Sequence, residues 1–98
     1  MNPAFLIAGP VLEVLALLQE EGITPETLRA FPVGTGERAR VCIMVSAQPE
    51  DVPRIAAIYG SEVQTFTLDN GSNHVETITR APAWGSLHFH ATIGQEKP

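Results

Sequence analysis

His88 and His90 are the residues most able to do chemistry. Alternate strand positions point the same way, with about 7 Å between side-chain roots, so two imidazoles can share one metal ion. A catalytic zinc site needs a third ligand, and the register worked out below turns His74 and Glu76 to the opposite face of the sheet. The two histidines are therefore read as part of a solvated sheet face, with no metal expected. A shift of one residue in that register would restore the metal reading. Three serines, Ser61, Ser72 and Ser86, each follow a glycine, but none stands in a G-x-S-x-G frame between strand and helix. Cys42 lies in the apolar run Val41 to Val45 and reads as an inert buried thiol. Gly34-Thr35-Gly36, followed by Arg38 and Arg40, lacks the strand before and the helix after that a phosphate-binding loop requires. No cofactor fingerprint is present.

Two further features suit binding rather than catalysis. Trp84, with Pro82, stands at the tip of the last hairpin, where a large ring either folds back or anchors a partner. Phe5, Leu6 and Ile7 form an apolar arm that needs cover from its own chain or another, so a homodimer is a reasonable expectation.

The elements that position these residues follow from the pattern of the chain. Its 98 residues suit one domain, residues 1–98, and at 44% apolar and 17% charged they can form a core. Eleven acidic against six basic side chains give a net charge of -5, the wrong sign for tracking a phosphate backbone, so no direct nucleic acid is expected. A lone cysteine indicates no disulfide scaffold, and the cytoplasm is the expected compartment. The apolar stretch Pro3 to Leu18 contains Glu13 and Gly9-Pro10 and has no preceding Lys or Arg, so neither a signal peptide nor a membrane span is expected.

Residues 1–32 are predicted to be helical. Asn2-Pro3 opens a segment that Pro10 breaks or kinks, and the main helix then runs from Pro10 to Glu21, ended by Gly22. Its apolar stripe is wide enough to predict cover on more than one side. Thr24-Pro25-Glu26 opens a short helix of about Pro25 to Ala30, stopped by Phe31-Pro32. Residues 40–93 are predicted as β-α-β-β-β. Val41 to Val45 is the candidate central strand, Asp51 to Gly60 an amphipathic helix, and Glu62–Leu68, His74–Arg80 and Ser86–Ile93 are strands, with the tail from Gly94 frayed. Placing Ile78 in the core with Leu87 and Phe89 pairs Thr79 with Ser86 and Thr77 with His88. Phe66 and Leu68 then also face the core, and Thr65, Thr67, Val75, Thr77, Thr79, His88, His90 and Thr92 face water. The expected fold is α+β, a four-stranded antiparallel or mixed sheet with helices on one face.

The run Val41 to Val45, Pro49-Glu50-Asp51-Val52 with Ile55-Ala56 and Gly60, then Trp84-Gly85 and Leu87-His88-Phe89-His90, resembles small uncharacterised proteins of actinobacteria and their phages. The resemblance covers about residues 41–93 and implies an accessory protein, without transferring a catalytic residue. The leading expectation is a non-enzymatic module that binds a protein partner, possible targets being a host or defence macromolecule that a phage would inhibit. The contact residues would be Trp84, Pro82, His88, His90, Phe5 and Leu6. The alternatives are a structural or assembly subunit of a particle, and a small metal-dependent enzyme using His88 and His90.

Overall fold

The computed structural model describes residues 3–93. The chain runs α1 (Pro3–Glu21), β1 (Thr27–Val33), a 3-10 turn (Gly36–Arg38), β2 (Arg40–Ser46), α2 (Asp51–Tyr59), β3 (Val63–Thr67), β4 (Asn73–Ala81) and β5 (Gly85–Ile93). The strands form one mixed sheet in the order β1-β2-β5-β4-β3, with only β2 and β5 parallel. The class is α+β, but the sheet has five strands rather than four.

The extra strand is β1, which replaces the short helix expected at Pro25 to Ala30. Six residues are too few to hold a helix alone, whereas pairing to β2 gives the backbone of Thr27 to Val33 a partner along seven positions. Pro32 is tolerated because β1 is an edge strand. The N-terminal part is thus one helix followed by a strand. Nor does Pro10 break α1, which continues through it. Proline removes the bond to the Leu6 carbonyl at a cost of about 3 kcal/mol. Leu6, Ile7, Val11 and Val14 on either side of it pack on the same core and hold both halves in line. Gly22 ends α1 as expected, at φ 70°, with its N–H on the Gln19 carbonyl and that of Ile23 on the Leu18 carbonyl.

α1 packs on β1 and β2, and α2 on β3, β4 and β5, over the same side of the sheet. Between them lie Val14, Leu18, Val41, Ile43, Val45, Val52, Ile55, Leu87 and Phe89. Among the described residues nothing supplies the expected cover on a second side of α1, since Leu12 is 66% exposed and Leu15 is exposed as well. β2 is an interior strand, while the middle position belongs to β5. No described helix is long and apolar enough to cross a membrane.

The register of the last hairpin differs by one residue from the expectation. Thr79 pairs with Leu87, Thr77 with Phe89 and Ile78 with His88. Val75, Thr77 and Thr79 therefore face the helices and are buried, while Ile78, at 49% exposed, and Phe66, at 44%, face the other way. Charge explains the shift. Turning Ile78 inward would also bury His74, Glu76 and Arg80, and each unpaired buried charge costs several kcal/mol against the roughly 1.5–3 kcal/mol gained by burying one isoleucine. Thr77 is accommodated in the core because its hydroxyl donates to the Glu62 carbonyl at 2.8 Å. Gly85 is demanded by the β2–β5 contact. Its φ is 154°, and a Cβ there would lie 1.9 Å from the Val41 carbonyl oxygen.

Candidate functional site

Trp84 folds back instead of projecting. Its backbone N–H bonds the Ala81 carbonyl, its carbonyl accepts the Val41 N–H at 2.8 Å, and its indole Nε1 donates to Glu13 Oε2 at 2.7 Å. The half-buried ring packs against the core and ties the hairpin tip to α1. Pro82 beside it is exposed. The apolar arm is likewise engaged, because Leu6 and Ile7 pack on the core. The side chain of Phe5 lies outside the described residues, as do those of residues 93–98.

His88 and His90 lie on the face of the sheet away from the helices, over which no described element is layered. The ladders set out what surrounds them. One row across the sheet runs Arg29, Met44, His88, Ile78; the next runs Thr27, Ser46, His90, Glu76, Gln64; and Phe66 sits across from His74. His74 and Glu76, expected on the other side, therefore share this face with both histidines. The one-residue shift that decides the burial of Thr77 also assembles this cluster.

Its geometry is close-set. The His74 and His90 rings stack with centroids 5.5 Å apart, the Phe66 ring lies 4.8 Å from His74, and His74 Nε2 is 3.6 Å from Glu76 Oε1. His74 Nδ1 is also 3.3 Å from Thr92 Oγ1. Burial holds the His90 imidazole below its ordinary pKa, and the neighbouring His74 and His88 push the same way against the attraction of Glu76. His88 Nε2 lies 3.4 Å from the Ser86 hydroxyl, a long contact, and among the described residues no carboxylate hydrogen-bonds His88 as the orienting third group of a nucleophilic triad. Although the donors stand on one face, no three His, Cys, Asp or Glu side chains among the described residues are arranged to hold a metal ion. Parallel stacking explains this, because two stacked rings aim their nitrogen lone pairs alongside each other instead of at a common point.

The charge of this face differs from that of the rest of the chain. Three of the five described arginines, Arg29, Arg40 and Arg80, are exposed here, by ladder position and by burial. Its acidic members among the described residues are Glu62 and Glu76, at the β3–β4 end, where with Gln64 and Ile78 they line a shallow cavity of about 210 Å³. Glu13, Glu20, Glu21, Glu50 and Asp51 belong to α1 and the start of α2. Half-exposed Phe31, Phe66 and Ile78 are interleaved with the arginines and imidazoles. Such a surface can bury rings, donate charge-assisted hydrogen bonds to carboxylates and exclude water between them. Cys42 faces this side between Phe31 and Ser86 and is buried.

Comparisons with protein-family models, with curated proteins and with solved structures found no match.

Proposed function

We propose that this chain is a non-enzymatic protein-binding module whose contact surface is the open face of the sheet, and that its partner presents an acidic surface there. One observation supports this reading above the rest. Arg29, Arg40 and Arg80 gather, with exposed Phe31, Phe66 and Ile78, on the one sheet face that no described element covers, in a chain of net charge -5. Arginine and aromatic side chains together are the composition of interface cores, and a charge of opposite sign to the molecule's own steers a particular partner to that patch. The resemblance to small actinobacterial and phage proteins directs the search for that partner toward host or defence proteins.

The test is differential capture from a lysate of the source organism, with three baits. Wild type is expected to retain a stoichiometric protein that Arg29→Glu combined with Phe31→Ser loses, whereas Leu12→Ser on the far side of α1 keeps it. Equal retention by all three baits removes the open face from consideration, and no retained protein removes the binding-module reading.

A second reading is a subunit of a larger assembly. It is supported by α1, an almost wholly apolar helix whose Leu12 and Leu15 face solvent. Light scattering that returns a single small mass at every concentration, with wild type and Leu12→Ser alike, excludes it.

A further inference from the structure

The two edges of the sheet are not equally protected. β1 carries Pro32, which offers no N–H, and Arg29 near its middle, both devices that discourage strand addition. β3, Val63-Gln64-Thr65-Phe66-Thr67, contains neither a charge nor a proline, and all five residues are exposed. Leu68 N–H bonds the Ser72 carbonyl, so the even-numbered residues of this strand turn their backbone groups toward β4. Val63, Thr65 and Thr67 consequently turn their N–H and C=O outward. α2 lies mainly over β4 and β5 and leaves the side chains of these three residues uncovered as well.

We infer that β3 is a self-pairing edge, along which two copies of this chain join antiparallel about a two-fold axis at Thr65 into one continuous sheet. The occupant follows from the strand's self-complementarity. With Thr65 opposite its own copy, Val63 meets Thr67 and Gln64 meets Phe66, and each outward N–H finds an outward C=O. Continuing the register outward places Glu62 opposite Leu68 and Ser61 opposite Asp69, so no like charges face each other across the seam. Threonine against threonine and valine against threonine are favourable cross-strand neighbours. Thr65 stands opposite Val75 as a non-hydrogen-bonded pair, so its backbone N–H and C=O are not used by β4, which makes it possible to block the seam and spare the protomer. This seam is separate from the open-face contact proposed above, and neither depends on the other.

The experiment is sedimentation velocity on the full chain from about 1 μM to about 1 mM, a range in which a small interface changes its occupancy. Wild type is expected to double its mass across the series. Thr65→Pro, which removes an N–H that β4 does not use, is expected to stay at the mass of one protomer with an unchanged circular dichroism spectrum. Thr65→Lys puts a charge at the same place while keeping the backbone and is expected to do the same, so that a folding failure of the proline variant does not decide the matter. Amide exchange gives the register directly: Val63, Thr65 and Thr67 are expected to slow together in wild type as concentration rises. A wild type that stays monomeric throughout, a dimer that survives Thr65→Lys, or exchange at those three amides that ignores concentration would each overturn the inference.

Discussion

One face of this sheet lies under two helices and the other lies open. The covered face is the richer in apolar side chains, but neither is pure, and the charged residues of the described strands all stand on the open one. The covered face holds Leu87, Phe89, Ile43 and Val45 but also Thr77 and Thr79, both buried. The open face holds Arg29, Arg80, Glu76 and three imidazoles but also Phe66 and Ile78. A stray isoleucine in water or a hydrogen-bonded threonine in a core costs little, whereas an unpaired charge in a core costs several kcal/mol. The charges therefore decide which face is which, and the apolar residues accept the outcome.

The sharpest way to break that comparison is to truncate a phenylalanine on each face. Phe89 is completely buried at the middle of the sheet, and Phe89→Ala is expected to lose about 3–5 kcal/mol through lost burial and the cavity left behind. Phe66→Ala, on the open face of an edge strand, is expected to change stability by about 0.5 kcal/mol. Urea unfolding of the two variants against wild type measures both. Similar losses would mean that something covers the open face in solution.

Much of this architecture is legible in the sequence, and the misreadings share a cause. α2 follows from the stripe Val52, Ile55, Ala56 and Tyr59 with Gly60 behind it, and Gly60 does adopt the left-handed conformation, φ 68°. β3, β4 and β5 also fall close to their expected limits. β1 was hidden because Thr24-Pro25-Glu26 is a sound local helix opening, and the pairing to β2 that overrides it is a long-range contact. The hairpin register is a different case, because its signal is present in the chain. Ile78 shares a strand face with His74, Glu76 and Arg80, and weighing those three polar residues against one isoleucine turns the face outward. The same step brings His74 and Glu76 beside His90, so the cluster on the open face was readable from charge parity. Whether Trp84 projects or folds back was not readable, because the Glu13 carboxylate that receives its indole N–H lies 71 residues away.

A smaller effect tests that register directly. Thr77→Val keeps the shape of the side chain but leaves the Glu62 carbonyl without the buried hydroxyl that serves it, and is expected to cost about 1–2 kcal/mol. Ile78→Thr, at the neighbouring position on the open face, is expected to stay within about 0.5 kcal/mol of wild type. The register expected from placing Ile78 in the core requires the reverse order, with Ile78→Thr the damaging substitution. Denaturation midpoints for the two variants separate the registers without any knowledge of function.

The smallest expected effect belongs to His90, where the folded and unfolded chains compete for a proton. Burial beside the sheet holds its imidazole below 6.5, with His74 and His88 adding repulsion and Glu76 opposing them. A histidine whose native pKa is depressed favours folding in its neutral form. As pH falls through about 6.5, the unfolded chain therefore takes up the proton before the native one does, and stability declines. The decline is complete once pH has passed below the native value, where both states are protonated. Because the ring is only half-buried and water screens it, the loss is expected to stay below about 1 kcal/mol. His90→Asn removes the titrating group, so urea midpoints taken between pH 7.5 and pH 5 are expected to fall less steeply than in wild type. Glu76→Gln removes the one attractive neighbour and is expected to steepen the fall instead. If both variants track wild type, His90 is solvated like an isolated surface histidine, and the close packing of His74, Glu76 and His90 does not persist in solution.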